Sequence, residues 1–261
     1  MNPIDGKLTQ IIKESKETIW NNQEDYKYYY GEVGVPVPPI EHLEDIKKSK
    51  GELIIYSKHN EIYGWIGLKP ELNKNEVELA GIGVHANFRN KGISIILMDK
   101  AINVIENWKM NRMVFQTSAL FTSNSALYLR HYNARYKWNN TNYVDRENNI
   151  PWPIMDCEIE IPYKKRIDNE YKLSTIKSIL NWEKDKSDID LSPINNKEIK
   201  IGISLPYYDM KKIYLELENK AFDKLRNLYN SFEEATNNGY EIDNFININN
   251  DLFMYILVRA T

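Results

Sequence analysis

Arg89, Lys91 and Gly92 stand together between two apolar runs of different period. Before them, Val77, Leu79, Ile82 and Val84 read as a strand; after them, Ile95, Ile96 and Leu97 read as a helix. A strand, a basic turn containing glycine and a helix, in that order, aim the first free N–H groups of the helix at one point. Unpaired donors and the positive end of the helix dipole attract phosphate there. Arg89 and Lys91 add full charges beside those donors. The arrangement predicts a pyrophosphate cradle, against the plainer alternative of a surface turn with two exposed cations. Two other phosphate motifs do not fit. No G-x-x-x-x-G-K-[ST] run occurs, and Gly81-Ile82-Gly83 does not continue as G-x-G-x-x-G.

The run Arg89-Asn90-Lys91-Gly92-Ile93-Ser94 resembles the R/Q-x-x-G-x-G/A signature of the GNAT superfamily of N-acetyltransferases, with Ser94 in the last small position. A second segment, SNSALYLRHYNARYKW at 123–138, resembles that family's N-x-x-A-x-x-x-Y-x-x-x-G-F. Its Gly-Phe end is missing, and Asn133 or Tyr136 stands there instead. The resemblance covers about residues 5–163. It implies a mixed α/β (α+β) fold, with a mostly antiparallel central sheet flanked by helices. The expected division is a GNAT-like acyl-CoA-binding catalytic domain over 1–163 and a C-terminal α/β extension over 164–261. The extension is expected to cap the acceptor groove or form a homodimer contact.

The same resemblance implies acetyl-CoA, or another acyl-CoA, as cosubstrate, and direct transfer to a primary amine of a small molecule or peptide in a ternary complex. The amides of Arg89, Asn90, Lys91, Gly92, Ile93 and Ser94 are expected at the pyrophosphate. Ile82, Gly83 and Val84 match the family's strand bulge, whose amides meet the thioester carbonyl and the pantetheine arm. Glu78, eleven residues before Arg89, is a candidate base, or else a structural glutamate. Tyr132 or Tyr128 would protonate the departing thiolate. Counting from Asn124, where the family's asparagine meets CoA, slightly favours Tyr132; the Leu127-Tyr128 pair favours Tyr128. Asn124 also reads plainly as a helix N-cap. Acceptor recognition is expected from Glu32, Tyr29 and Tyr30 beside the Pro-rich loop 31–40, by charge and by aromatic faces; a packed aromatic cluster is the alternative. A degenerate, non-catalytic acyl-CoA sensor is the rival function.

The bulk properties exclude more than they assign. Net charge is −3, so no nucleic-acid surface is built on bulk charge. The Lys runs at 47–50 and 164–166 read as solvated faces. A single cysteine, Cys157, leaves no intrachain disulfide, and four histidines without ligand spacing predict no metal. No apolar run approaches membrane-spanning length and MNPIDGKLTQ is not a signal peptide, so a cytoplasmic protein is expected.

The elements that would position these residues follow from period and punctuation. Helices are expected over 6–30 and 41–49, and a hairpin over 52–58 and 61–68 turning at His59-Asn60. A strand over 76–84 leads to a helix over 92–108 that buries Ile96, Ala101, Val104 and Ile105. A strand at 113–119, a helix from Asn124 to Tyr132 and strands at 134–138 and 154–161 follow. Beyond an amphipathic piece with Ile176 and Leu180, a strand is expected at 199–205. A long helix from Asp209 to Gly239 and a hairpin of 241–248 with 252–259 close the chain.

Overall fold

The computed structural model describes residues 40–58, 61–139, 144–145, 150–163, 173–182, 187–206, 222–249 and 251–260. The expected helix over 6–30, Glu32, Tyr29 and Tyr30, the turn at 59–60 and the first part of the helix from Asp209 lie outside the described residues. Two units divide the chain: Met1–Phe115 with Glu160–Tyr163, and Gln116–Ile159 with Lys164–Thr261.

In the first unit, helix α1 (Ile40–Lys48) precedes β1 (Glu52–Lys58), β2 (Glu61–Glu71) and β3 (Glu76–Val84). Helix α2 (Ile93–Asn107) leads to β4 (Arg112–Ser118). β1, β2 and β3 pair antiparallel, with Ile66 of β2 opposite Ile54 on one side and Ile82 on the other. β4 adds in parallel, through Glu76↔Arg112, Val77↔Met113 and Glu78↔Val114. Arg112 Nη2 holds the buried Glu76 carboxylate at 2.7 Å and so fixes that register. Two glycines let helices lie close on β2. A Cβ at Gly64 would stand 3.0 Å from Leu97 Cδ1 of α2, and one at Gly67 2.5 Å from Ile46 Cδ1 of α1. Three positions apart on one strand, they face opposite sides, so α1 and α2 cover opposite faces. α2 buries Ile93, Leu97, Met98, Ala101, Ile102 and Ile105. Ile96, expected inside, is exposed, because the helix presents the 93–97–101–105 row to the sheet.

The second unit begins within β4. Helix α3 (Thr122–Ser125) passes into a π-helix over Ala126–His131. Then come β5 (Arg135–Asn139), a small pair β6 (Val144–Asp145) and β7 (Ile150–Pro151), and β8 (Ile154–Glu160). The expected amphipathic piece contains a strand, β9 (Lys177–Trp182), followed by β10 (Ser187–Ile189) and the short α4 (Ser192–Asn195). β11 (Lys200–Pro206), helix α5 (Phe222–Asn237), β12 (Tyr240–Asn249) and β13 (Leu252–Arg259) complete it. The sheet runs β8-β5-β12-β13-β11-β9-β10. Only β11 and β9 pair in parallel among its described ladders.

α5 buries Leu225, Leu228, Tyr229, Phe232 and Ala235 on one face, and Gly239 ends it at φ +80. Phe232 is the centre of this packing. It stacks on Trp138 of β5 with centroids 5.3 Å apart, and meets Tyr255 of β13 edge-on at 5.1 Å. Phe232→Ala is expected to destabilise the protein by about 3–5 kcal/mol in urea unfolding. A loss below about 1 kcal/mol would show that the aromatic cluster does not hold α5 to its sheet.

Candidate functional site

β3 ends at Val84, and the chain turns through a 3₁₀ stretch, Ala86–Phe88, before entering α2. The turn needs two left-handed residues, Asn90 at φ +59 and Gly92 at φ +74. Asparagine tolerates that region and glycine enters it without a Cβ penalty. Gly92 caps α2 with no side chain, and the first helical bond is Ile96 N–H to the Gly92 carbonyl at 3.1 Å. The Ile93 and Ser94 amides come before that bond, at the positive end of a 15-residue helix. Gly92 is exposed, and a Cβ there would meet nothing within 4 Å.

The two cations are tied to the turn. Arg89 Nε–H donates to the Val84 carbonyl at 3.3 Å, and Lys91 Nζ to the Asn87 carbonyl at 3.1 Å. Lys91 also lies over the Phe88 ring, which stacks on Tyr63 of β2 at 3.7 Å between centroids. His85 Nδ1 accepts from the Asn87 amide at 3.2 Å. Sequence reasoning missed this aromatic platform, although Phe88 lies directly before Arg89.

Along β3 the bulge falls earlier than expected. The register with β2 slips at Ala80, beside Gly81 at φ +155. Ile82, Gly83 and Val84 are regularly paired with Ile66, Trp65 and Gly64. Gly83 has its own reason to be glycine: a Cβ there would stand 2.5 Å from Trp65 Nε1, a buried donor with no hydrogen-bond partner among the described residues. The ladder to β4 stops at Glu78, so from Leu79 onward alternate β3 amides point away from β2 with no ladder partner among the described residues. Glu78, half-exposed, pairs with Lys69 directly opposite, Nζ to Oε2 2.9 Å.

The second unit holds the other candidates. Asn124 is not an N-cap. It lies inside α3, where Phe121 takes the cap position, and donates through Nδ2 to Thr117 Oγ1 at 3.3 Å. Tyr128 and Tyr132 are both buried, and Tyr132 packs edge-on against His131 at 4.9 Å. The Tyr132 amide bonds the Leu127 carbonyl at 3.2 Å, a five-residue step that marks the π turn. The helix then stops on Asn133 at φ +52, with Ala134 N–H on the Tyr128 carbonyl at 2.9 Å. Asparagine here does what glycine commonly does at a helix end. Cys157 and the Tyr136 hydroxyl are both buried. Burial pushes the Tyr128, Tyr136 and Tyr255 phenols and the Cys157 thiol well above their ordinary values.

Among the described residues, no group of three His, Cys, Asp or Glu is placed to hold a metal ion, and no helix is long and apolar enough to cross a membrane.

What fold and turn define is a mixed α/β protein with an anion-receptive helix start behind a strand. The acetyltransferase (GNAT) family model matches residues 14–132, a little under half of the chain. Acyl transfer from acetyl-CoA is the family's general activity. Among solved structures, the chain is similar to a ribosomal-protein-alanine N-acetyltransferase from Brucella melitensis (13% identity, 60% of this chain and 95% of that one, TM-score 0.44). It is also similar to the ribosomal-protein-S18-alanine N-acetyltransferase from Escherichia coli (12% identity, 58% and 96%, TM-score 0.40). A third is a GNAT family acetyltransferase from Elizabethkingia anophelis with acetyl-CoA bound (27% identity, 48% and 84%, TM-score 0.37). No curated protein matches the chain.

The buried phenols set an alkaline limit. Folding holds protons on Tyr128, Tyr136 and Tyr255 that the unfolded chain releases near the ordinary phenol value of 10.0. Their contribution to stability is complete below that pH and is lost as the pH rises above it. The urea midpoint is expected to fall from pH 9 to 11, and absorbance at 295 nm to show these three phenols ionising only with unfolding. Their ionisation in the folded protein, alongside exposed tyrosines, would contradict the burial.

Proposed function

We propose that the protein is an acyl-CoA-dependent N-acyltransferase that acylates a primary amine of a small molecule or peptide. The observation that carries this reading is the start of α2: uncapped amides at Ile93 and Ser94, an open Gly92 and two cations on the same turn. These features fit a pyrophosphate. The backbone from Arg89 to Ser94 holds it, and the one-sided stretch of β3 including Ile82, Gly83 and Val84 offers amides to the acyl-bearing arm. Acetyl-CoA supplies an activated acyl group as its thioester. The protein's part is to bind, to orient and to manage two protons.

Asn124 is assigned to the donor by its place in the family pattern. Tyr128 is favoured over Tyr132 as the proton donor to the departing sulfur. The family pattern spaces its tyrosine four residues before the helix-ending glycine, and Tyr128 precedes Asn133, in that glycine's role, by five. A π turn absorbs one extra residue, so the difference is expected of this helix. Burial keeps the Tyr128 phenol neutral and able to donate.

Glu78, the candidate base, is ion-paired to Lys69 through Oε2. That ion pair favours a second reading, a protein that binds acyl-CoA without turnover. The two differ in acetyl-CoA consumption across a panel of primary amines at pH 8 to 9, which the enzyme shows and the sensor does not.

The binding step is tested by titrating acetyl-CoA calorimetrically into wild type, Gly92→Ala and Gly92→Glu. Both variants strain a left-handed residue, by about 1–2 kcal/mol, but only glutamate places an anion in the cradle. Binding by wild type and Gly92→Ala, abolished in Gly92→Glu with unchanged circular dichroism, is the expected result. No binding by wild type overturns the reading.

A further inference from the structure

We infer that Tyr255, on β13 and outside the 14–132 family match, is a positioning residue for the segment Ala119–Ser125, on which Asn124 sits; the inference rests on the proposed acyl-CoA function. Tyr255 is fully buried, and its hydroxyl reaches two atoms of that segment. It lies 2.8 Å from the Ala119 carbonyl and 2.6 Å from Ser125 Oγ. A carbonyl can only accept, so the single phenolic proton goes to Ala119, and Ser125 must donate to Tyr255. The result is a one-way chain, Ser125 to Tyr255 to Ala119, spanning the approach to α3 and its last residue.

The ring that carries this hydroxyl cannot drift. Phe245 of β12 lies 4.6 Å from it and Phe232 of α5 5.1 Å, centroid to centroid. Ala119 is held from the other side too, its amide donating to the Pro153 carbonyl at 2.8 Å. Asn124, next to Ser125, is therefore gripped twice. Its own side chain donates to Thr117, and its neighbour's hydroxyl is fixed by β13. The C-terminal strands thus set the orientation of a residue that the family pattern assigns to the acyl donor.

Acetyl-CoA titration of the full chain, with thermal unfolding in parallel, tests this. Tyr255→Phe keeps the ring and removes the hydroxyl; Ser125→Ala breaks the same bond from the other end. Each is expected to raise the acetyl-CoA Kd by roughly two- to tenfold, the net worth of one hydrogen bond. With Asn124→Ala already present, Tyr255→Phe is expected to add little further loss, because both act through one side chain. Wild-type affinity in Tyr255→Phe, with only a lowered melting temperature, would make Tyr255 a structural residue and overturn the inference. So would full additivity with Asn124→Ala. Should Tyr255→Phe not fold, Ser125→Ala decides by the same criteria. Absence of binding by wild type would instead remove the functional reading beneath it.

Discussion

In the first unit everything hangs on β3 having two partners for its first three residues and one thereafter. Glu76, buried, is held by Arg112 at the start of the parallel ladder, and the ladder ends two residues later at Glu78. The Glu76 carboxylate is buried and also meets Lys74 Nζ at 3.5 Å, so two cations hold the start of that ladder in place. Once β4 ceases to pair, β3 keeps its hydrogen bonds to β2, and its other edge has no ladder partner among the described residues. The bulge at Ala80, the glycine at Gly83 and the turn at His85–Gly92 all lie beyond that point.

Much of this was legible in the residues, and for a physical reason. Alternation in Glu52–Lys58 and Glu76–Val84, a glycine beside two cations and an apolar helix are local signals, and these elements stand where period and punctuation place them. What was not legible depends on partners distant in sequence. The bulge was expected at Ile82–Val84 from the match to the family's strand, but it falls at Ala80, and Gly83 answers to Trp65 across the ladder, which no local pattern reports. Ile96 was expected inside because it is apolar; the facing strands select the row through Leu97 instead. Asn124 has the residue type of an N-cap, but the helix starts earlier and its amide is spent on Thr117. The π turn at Ala126–His131 was visible only as an ambiguity in counting between Tyr128 and Tyr132.

The C-terminal region illustrates the same limit at larger scale. Its strands and its α5 stripe could be read from sequence, but its place could not. It was expected to cap a groove or to form a dimer contact. In the second unit, β12 pairs with β5 at Ile242↔Tyr136, and α5 stacks Phe232 on Trp138. Those contacts join residues about a hundred positions apart, a loop whose closure costs little more than that of a much shorter one. Aromatic rings provide the return because each buries a large area in a fixed geometry.

The electrostatics of the turn argue that its backbone, more than its cations, defines the anion it can hold. Arg89 and Lys91 each spend a donor on the turn's own carbonyls, and Lys91 is further drawn over Phe88. They stiffen the loop that aims the Ile93 and Ser94 amides and supply a positive background, without having to meet the ligand head-on. Backbone donors fixed by a left-handed Gly92 require no reorganisation on binding, whereas a free lysine or arginine must surrender rotamer entropy. On the proposed reading Ser94 can stand where the family pattern has glycine or alanine, because that position would contribute an amide and its side chain needs only to be small. The left-handed positions are the constrained ones: Gly92 at φ +74, and Asn90 at φ +59 beside it, cannot be exchanged for another small residue such as alanine without strain.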